Sequence, residues 1–438
     1  MFKTLRNALK IEDIRKKLIF TFLMLVVVRF GSQLPIPGAN RDYFQAWFAQ
    51  QTGDAFNFFD AFTGGSFTSM SLFALGITPY ITSSIIVQLL TIAIPKLEEM
   101  QKDGEDGRKK IQTISRYLTV ALALIESIAM TVGFGSRGLL AANTIPNKIV
   151  VIAAMTAGSA FLMWIGEEIT EHGVGNGISI VLLINIVSRI PDDFVTLFDQ
   201  FMKGQTILNA VVAAVVIIAV VLVTVVFVIF LQDGERRIPV QYAKKMQGRK
   251  MVGGQSTNIP IKVNTAGVIP VIFASSLMSF PNVIASLLGK TGGTGIGSKI
   301  MTGLSQSSWC DPSRPIYSLG LVLYIVLVVF FAYFYTSITF NPIEISNNMK
   351  RQGGFIPGIR PGKPTTEYLS RILNYIVFIG AVGLIIVCVI PIFFNGMFGA
   401  NVSFGGTSII IIVGVVLETL KQIESQMLVR YYKGFLND

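Results

Sequence analysis

The sequence predicts an all-α polytopic membrane protein of ten transmembrane helices in two inverted five-helix halves. Three observations carry that prediction. Residues of the AVILMFWYC class make up 52% of the 438-residue chain and charged residues 14%, with a mean hydropathy of +0.62. So little polar side chain cannot cover a soluble globule, and lipid must be the solvent. Apolar runs long enough to cross a ~30 Å hydrocarbon layer as helices recur along the chain. Finally, the basic residues alternate: 27 of the 36 Lys and Arg fall on the side of the N-terminus, 8 on the other, and Arg29 lies inside the first run. By the positive-inside rule both termini face the cytoplasm, and the net charge of +11 is largely topogenic.

In chain order the apolar runs cover 18–34, 71–94, 117–134, 149–169, 178–197, 207–231, 264–288, 316–340, 372–394 and 408–425. Residues 1–17 precede them, with Phe2, Leu5 and Leu9 among basic residues at a spacing that suits a helix on the membrane surface, and a flexible tail equally. The first run passes into Arg29 and LPIPG with no small-residue cleavage site, so it reads as a retained span. The second and seventh runs hold GITPYITSS (Gly76–Ser84) and GVIPVIFAS (Gly267–Ser275), which both fit GxxPxIxxS. They stand second in the first five spans and second in the last five. Counterparts in a duplicated unit fall there, and because five is odd the two units are inverted. Pro79 and Pro270 each remove a helix hydrogen bond, which predicts a kink or break in both spans. Irregular backbone at membrane depth is tolerated where it lines a passage. The halves are then 18–206 and 207–425, followed by a cytoplasmic tail over 426–438. The largest cytoplasmic segments, 232–263 and 341–371, are basic and rich in Gly, Pro and Gln, and loops of that length are uncommon unless they work.

Reactive chemistry is sparse. Two cysteines, Cys310 and Cys388, and a single His172 exclude a disulfide framework and a His-rich metal site. GKT at Gly289–Thr291 lacks the glycine that a phosphate loop needs where Ile284 stands, and neither HExxH nor GxSxG occurs. The chain reads as no enzyme, with no cofactor. An ion-coupled secondary transporter is the alternative, because inverted repeats and broken helices also mark that class. It needs ionisable groups at the midplane. Glu126 is the clearest, as a relay or as a satisfied structural acid; Arg29 and Arg189 fall near outer ends, where they can snorkel, and Glu418 near an inner end. The passage reads instead as apolar. Ile77 and Ile81 share a helix face at i, i+4, as do Ile178 and Leu182, and with Ile272 and an isoleucine of Ser408–Ile412 they form a collar that excludes ions by dewetting.

Seven strings carry a family resemblance: RFGSQLPIPG (Arg29–Gly38), FALGITPYITSSIIVQLL (Phe73–Leu90), GEDGRKKI (Gly104–Ile111), MWIGEEITEHGVGNGISI (Met163–Ile180), QSTNIPIKVNTAGVIPVIFASS (Gln255–Ser276), FNPIEISNNMKRQGGFIPGIRPG (Phe340–Gly362) and FGGTSIII (Phe404–Ile411). In this order, along essentially its whole length, the chain resembles the SecY family, the channel subunits of the bacterial Sec protein translocase. That resemblance implies a clamshell around a central hourglass pore, opening to lipid between the second and third spans on one side and the seventh and eighth on the other. The family's pore ring falls on Ile77, Ile81, Ile178, Leu182, Ile272 and Ile411, with Leu182 departing from the commoner isoleucine. Its lateral-gate polar cluster falls on Gln88 and Asn264, with Thr82 and Ser275 on the faces proposed to meet. Its plug falls within 54–70, on Phe58, Phe59, Phe62, Gly64 and Gly65. Arg360 matches the arginine required for working with the motor ATPase SecA, and Arg249 and Lys250 match a ribosome-facing pair, with Arg236 and Arg237 on the same basic surface. The implied partners are SecE and SecG subunits, SecA, ribosomal RNA phosphates, signal peptides, unfolded preproteins and membrane lipid, in a bacterial plasma membrane. The implied function is a passive conduit for unfolded, signal-bearing chains, which cross the membrane or leave sideways into lipid.

Overall fold

The computed structural model describes all residues except 1–5, 7, 51–59, 61, 136–137, 139, 204–206, 243–244, 248–249, 253–255, 288–295, 306–307, 311, 313–314, 399–405 and 435–438. Ten long helices dominate: α1 (Glu12–Gly31), α2 (Thr78–Ala93), α3 (Glu105–Phe134), α4 (Ile145–His172), α5 (Gly177–Phe201), α6 (Ile207–Asp233), α7 (Ile269–Leu287), α8 (Leu319–Thr339), α9 (Lys363–Phe398) and α10 (Gly406–Gly434). Each contains most of one apolar run. Among the described residues five helical segments are by themselves long and apolar enough to cross a membrane: Glu105–Gly133, Ile145–His172, Val211–Asp233, Pro315–Arg351 and Lys363–Phe394. A sixth follows if Thr78–Thr91 and Pro95–Gln101, bent by 105°, form one span. In α5 the apolar stretch is broken by Arg189, Asp192 and Asp193, and among the described residues α7 contributes the shorter apolar helix Ile269–Met278.

The two repeat prolines do not kink their helices. Pro79 and Pro270 stand in the first turns of α2 and α7, where a missing N–H removes no intrahelical bond. Three residues upstream of each, Gly76 (φ +60°) and Gly267 (φ +63°) adopt the left-handed backbone that favours glycine. GxxPxIxxS is therefore a turn followed by a helix start. Prolines inside helices occur elsewhere, at Pro191, Pro281 and Pro391.

Helices second and third in each half pack on one another: α2 on α3, and α7 on α8. Ser83 of α2 is fully buried there, its hydroxyl 3.0 Å from the Ser115 carbonyl and 2.6 Å from the Thr119 hydroxyl. In the other half Val271, Ala274 and Met278 of α7 enter an apolar core with Tyr324, Val328 and Leu384.

The segments 232–263 and 341–371 correct the all-α expectation. Strand β1 (Glu235–Tyr242) pairs antiparallel with β4 (Ser256–Lys262), from Glu235↔Lys262 to Gln241↔Ser256, and β5 (Gly354–Phe355) joins β1 opposite Gln241 and Tyr242. The intervening β2 (Lys245–Gln247) and β3 (Lys250–Val252) form a separate hairpin. Ile238 and Val240 of β1 and Ile261 of β4 bury one face against Leu369, Leu373 and Ile376 of α9. Strands β1, β4 and β5 from these two regions thus form one layer packed on α9.

Candidate functional site

The six aliphatic residues of the expected collar lie in a single hydrophobic cluster, with Ile77, Leu182 and Ile411 buried and Ile81, Ile178 and Ile272 partly buried. They come from the opening turns of four helices. Ile77 is the N-cap of α2 and Ile81 sits one turn on; Ile178 and Leu182 begin α5; Ile272 lies in the first turn of α7 and Ile411 near the start of α10.

Local sequence explains each placement. A Cβ at Gly76 would stand 2.8 Å from the Thr63 methyl, and the Ser159 hydroxyl donates to the Gly76 carbonyl at 3.2 Å, so the turn that delivers Ile77 is held from both sides. Before α5, the Asn176 side chain accepts the N–H groups of Ile178 (3.2 Å) and Ser179 (3.3 Å), a standard N-cap that satisfies two orphan donors. The Thr170 hydroxyl accepts the Gly177 N–H at 2.9 Å. A Cβ on Gly177 would lie 2.0 Å from the Gly166 carbonyl oxygen, so these glycines let α4 and α5 cross in direct backbone contact. Such a collar has no side-chain ligands. It can exclude water and ions but cannot coordinate a specific solute.

The segment beside the collar is only partly described, and Phe58 and Phe59 lie outside the described residues. Phe62 is buried in the collar cluster. Gly64 (φ +65°) and Gly65 (φ +82°) turn the chain there. Arg29 and Arg189 do not snorkel: the Arg29 guanidinium donates to the Gly64 carbonyl at 3.4 Å, and Arg189 pairs with buried Asp60 at 3.0 Å. Asn185 donates to the Phe62 carbonyl at 3.3 Å. Sequence reasoning missed Asp60 and Asn185, although Asn185 is a polar residue within an apolar run.

At the expected seam the polar residues separate. Gln88 reaches across the halves to the Tyr335 hydroxyl of α8, and α3 touches α7, so the halves meet through α2 and α3 on one side and α7 and α8 on the other. Tyr335 carried no motif signal. Thr82 is half-buried on α2. Ser275 is not at the seam. Its hydroxyl bonds the Val271 carbonyl at 2.8 Å and the Tyr324 hydroxyl, inside its own half, because it shares the inward stripe of Val271. Asn264 is also buried in that half, where its backbone crosses Gly380 of α9.

Beside the strand layer Arg360 is exposed in a turn between Gly358 (φ +85°) and Gly362 (φ +105°). The Thr365 hydroxyl donates to the Arg360 carbonyl at 2.8 Å, and the Ser346 hydroxyl holds the Gly362 carbonyl at 3.0 Å, so the arginine is presented from an anchored loop. Arg236 and Arg237 are exposed on β1, and Arg237 lies 3.5 Å from Glu235. Arg249 lies outside the described residues; Lys250 begins β3, with its side chain outside them.

Reactive groups are scattered. Among the described residues no group of three His, Cys, Asp or Glu could hold a metal ion. Burial pushes the Cys310 thiol upward, away from a reactive thiolate. Glu126 is half-buried on α3, with no ion-pair partner among the described residues.

Comparison with known proteins adds a name to this geometry. The family model described as SecY matches residues 71–420. The protein translocase subunit SecY of Halalkalibacterium halodurans is 43% identical, with 100% of each chain covered. Among solved structures, "The structure of a protein conducting channel" superposes with a TM-score of 0.64 at 19% identity, covering 94% of this chain and 93% of that one. "Sec61 in the Canine ribosome-channel complex from the endoplasmic reticulum" gives a TM-score of 0.60 at 19% identity, with 94% and 93% covered.

Proposed function

The chain belongs to the SecY family, and from that premise we propose that it is the channel-forming subunit of a protein translocase, passing unfolded, signal-bearing polypeptides across a membrane and releasing apolar segments sideways into lipid. The observation that carries this reading is the collar: six aliphatic side chains from the starts of α2, α5, α7 and α10 share one cluster, and Phe62 packs into it. Two of the helices belong to each half. An apolar ring fits a passage whose cargo varies in sequence, since it offers no fixed ligands and closes by dewetting. The transporter alternative lacks comparable support, because Glu126 stands without an ionisable partner among the described residues.

In this proposal the ten helices are ten spans, both termini are cytoplasmic in a bacterial plasma membrane, and 18–206 and 207–425 are inverted halves of a clamshell. Phe62, Gly64 and Gly65 belong to a plug, Gln88 to the lateral seam, and Arg360, Arg236, Arg237, Arg249 and Lys250 to the docking surface for SecA or the ribosome. SecE and SecG complete the complex, and the partner motor or polypeptide synthesis supplies the energy. The ribosome-bound relative supports a ribosome-facing surface.

The test is reconstitution into proteoliposomes with the partner subunits, SecA, ATP and a signal-bearing precursor. Precursor protected from external protease is the expected result. Ion-driven uptake of a small solute without protected precursor would contradict it.

A further inference from the structure

The helix that supplies two collar residues also grips the neighbouring segment. On α5, Ile178, Leu182, Asn185 and Arg189 follow at intervals of four, three and four, so they form one stripe along the helix. The first pair sits in the collar. The second pair holds the 60–70 segment, of which residue 61 lies outside the described residues: Asn185 by the Phe62 carbonyl and Arg189 by the Asp60 carboxylate. Asp60 is 0% exposed and is the knot of that segment. Its carboxylate accepts the Thr68 N–H at 2.9 Å, and its carbonyl accepts the Gly65 N–H at 3.1 Å and the Thr63 hydroxyl at 3.2 Å. The fit is tight. A Cβ at Gly64 would lie 2.9 Å from both Arg29 and the Asn185 backbone.

The network is nonetheless incompletely satisfied. Asp60 Oδ2, Ser66 Oγ, Thr68 Oγ1, Asn185 Oδ1 and Arg189 Nε are buried without a hydrogen-bond partner among the described residues, so Asp60 and Arg189 meet as an ion pair at 3.0 Å and not through a hydrogen bond. Buried polar groups left unpaired are costly, and water entering beside them would supply the missing bonds. The closed arrangement therefore depends on the Asp60–Arg189 pair and loses little once wetted.

Resting on the channel reading above, we infer that Asp60, Asn185 and Arg189 form a latch that holds the 60–70 segment against α5 and couples it to the collar. A polypeptide that displaces Ile178 and Leu182 moves Asn185 and Arg189 with the same rigid helix. The latch breaks, water completes the exposed polar groups, and the segment leaves the passage. Parting the collar and releasing the segment become one event.

The experiment uses the full chain in its reconstituted complex, with Asp60→Arg, Arg189→Asp and the double exchange. Two readouts are taken: resting ion conductance in planar bilayers, and labelling of Ser66→Cys, in a Cys310→Ser background, by an impermeant maleimide added outside. Each single reversal should raise both by about tenfold or more, and the exchange should bring both back to within about threefold of the parent, as coupled residues in contact do. Singles that behave like the parent, or an exchange as leaky as the singles, would overturn the latch and leave an ion pair that serves the fold alone. If a reversal fails to accumulate, Arg189→Gln, Asp60→Asn and their combination provide the same cycle, with non-additive rather than restored leak as the expected result. Ile81→Ser is measured in parallel. Leak there with silent latch variants defeats the latch only, whereas silence in all of them defeats the channel reading and the latch together.

Discussion

Gly76 and Gly267 hold nearly the same left-handed backbone, φ +60° and +63°, at the same place in the two GxxPxIxxS copies, yet one is enclosed and the other is free. A Cβ on Gly76 would meet the Thr63 methyl at 2.8 Å, whereas no described residue lies within 4 Å of the equivalent point on Gly267. Downstream the copies agree again. Ser83 and Ala274 are equivalent, both 0% exposed, and both face the next helix of their own half. Ile81 and Ile272 are equivalent too, and both reach the shared central cluster. The repeat thus sets a helix start, an inward face and one collar residue in each half. The difference lies in what is seated on it: the first copy lies against Thr63 of the segment that follows Asp60, whereas among the described residues nothing stands at the same point of the second.

That contrast can be broken by substitution. Gly76→Ala should lower stability by about 3 kcal/mol, combining left-handed strain with displacement of Thr63, while Gly267→Ala should lose only about 1 kcal/mol from strain alone. Thermal unfolding in detergent reads the difference, and equal losses would show that the two turns are equally encumbered. Ser83→Ala and Tyr324→Phe come next, at about 1 kcal/mol each, because each removes a buried hydroxyl joining two helices of one half. Neither should alter lateral release of an apolar segment; a change in release would place those contacts at the moving seam. The smallest effect belongs to Tyr335→Phe, about 0.6 kcal/mol, which removes the bond to Gln88 between the halves. It should ease release of marginally apolar segments while leaving unfolding almost unchanged. Conversely, a short bis-maleimide joining Gln88→Cys to Tyr335→Cys should stop release, and free release through that cross-link would place the seam elsewhere.

Much of this was legible in the residues, and the failures have physical causes. Apolar run length located all ten long helices, because burial of that many consecutive apolar side chains admits little else. The prolines misled because an apolar run does not show where its helix begins; the glycine three residues upstream was the missing cue. The three-stranded sheet was hidden because ERRIPVQY and STNIPIK each contain a proline, which argues against a strand, although Ile238 and Val240 alternate as a half-buried strand requires. Helical spacing picked out Ile77 with Ile81 and Ile178 with Leu182, which share one cluster, whereas Ile411 was singled out only by the family resemblance. Ser275 was not legible, since it lies on the Val271 stripe, a short rotation from Ile272, and small residues do not reveal which stripe faces outward. Arg29 and Arg189 looked like membrane-interface charges because their partners, Gly64 and Asp60, are distant in sequence.

The central claim is that both halves contribute to one dry collar, and resting conductance tests it most directly. Ile81→Ser and Ile272→Ser place a hydroxyl at equivalent points of the two repeats, where water can then bridge the constriction. Each variant, folded and reconstituted in planar bilayers, should conduct ions at rest, and the double variant should conduct more than either. Folded variants that remain as tight as the parent would contradict the collar and the channel built around it.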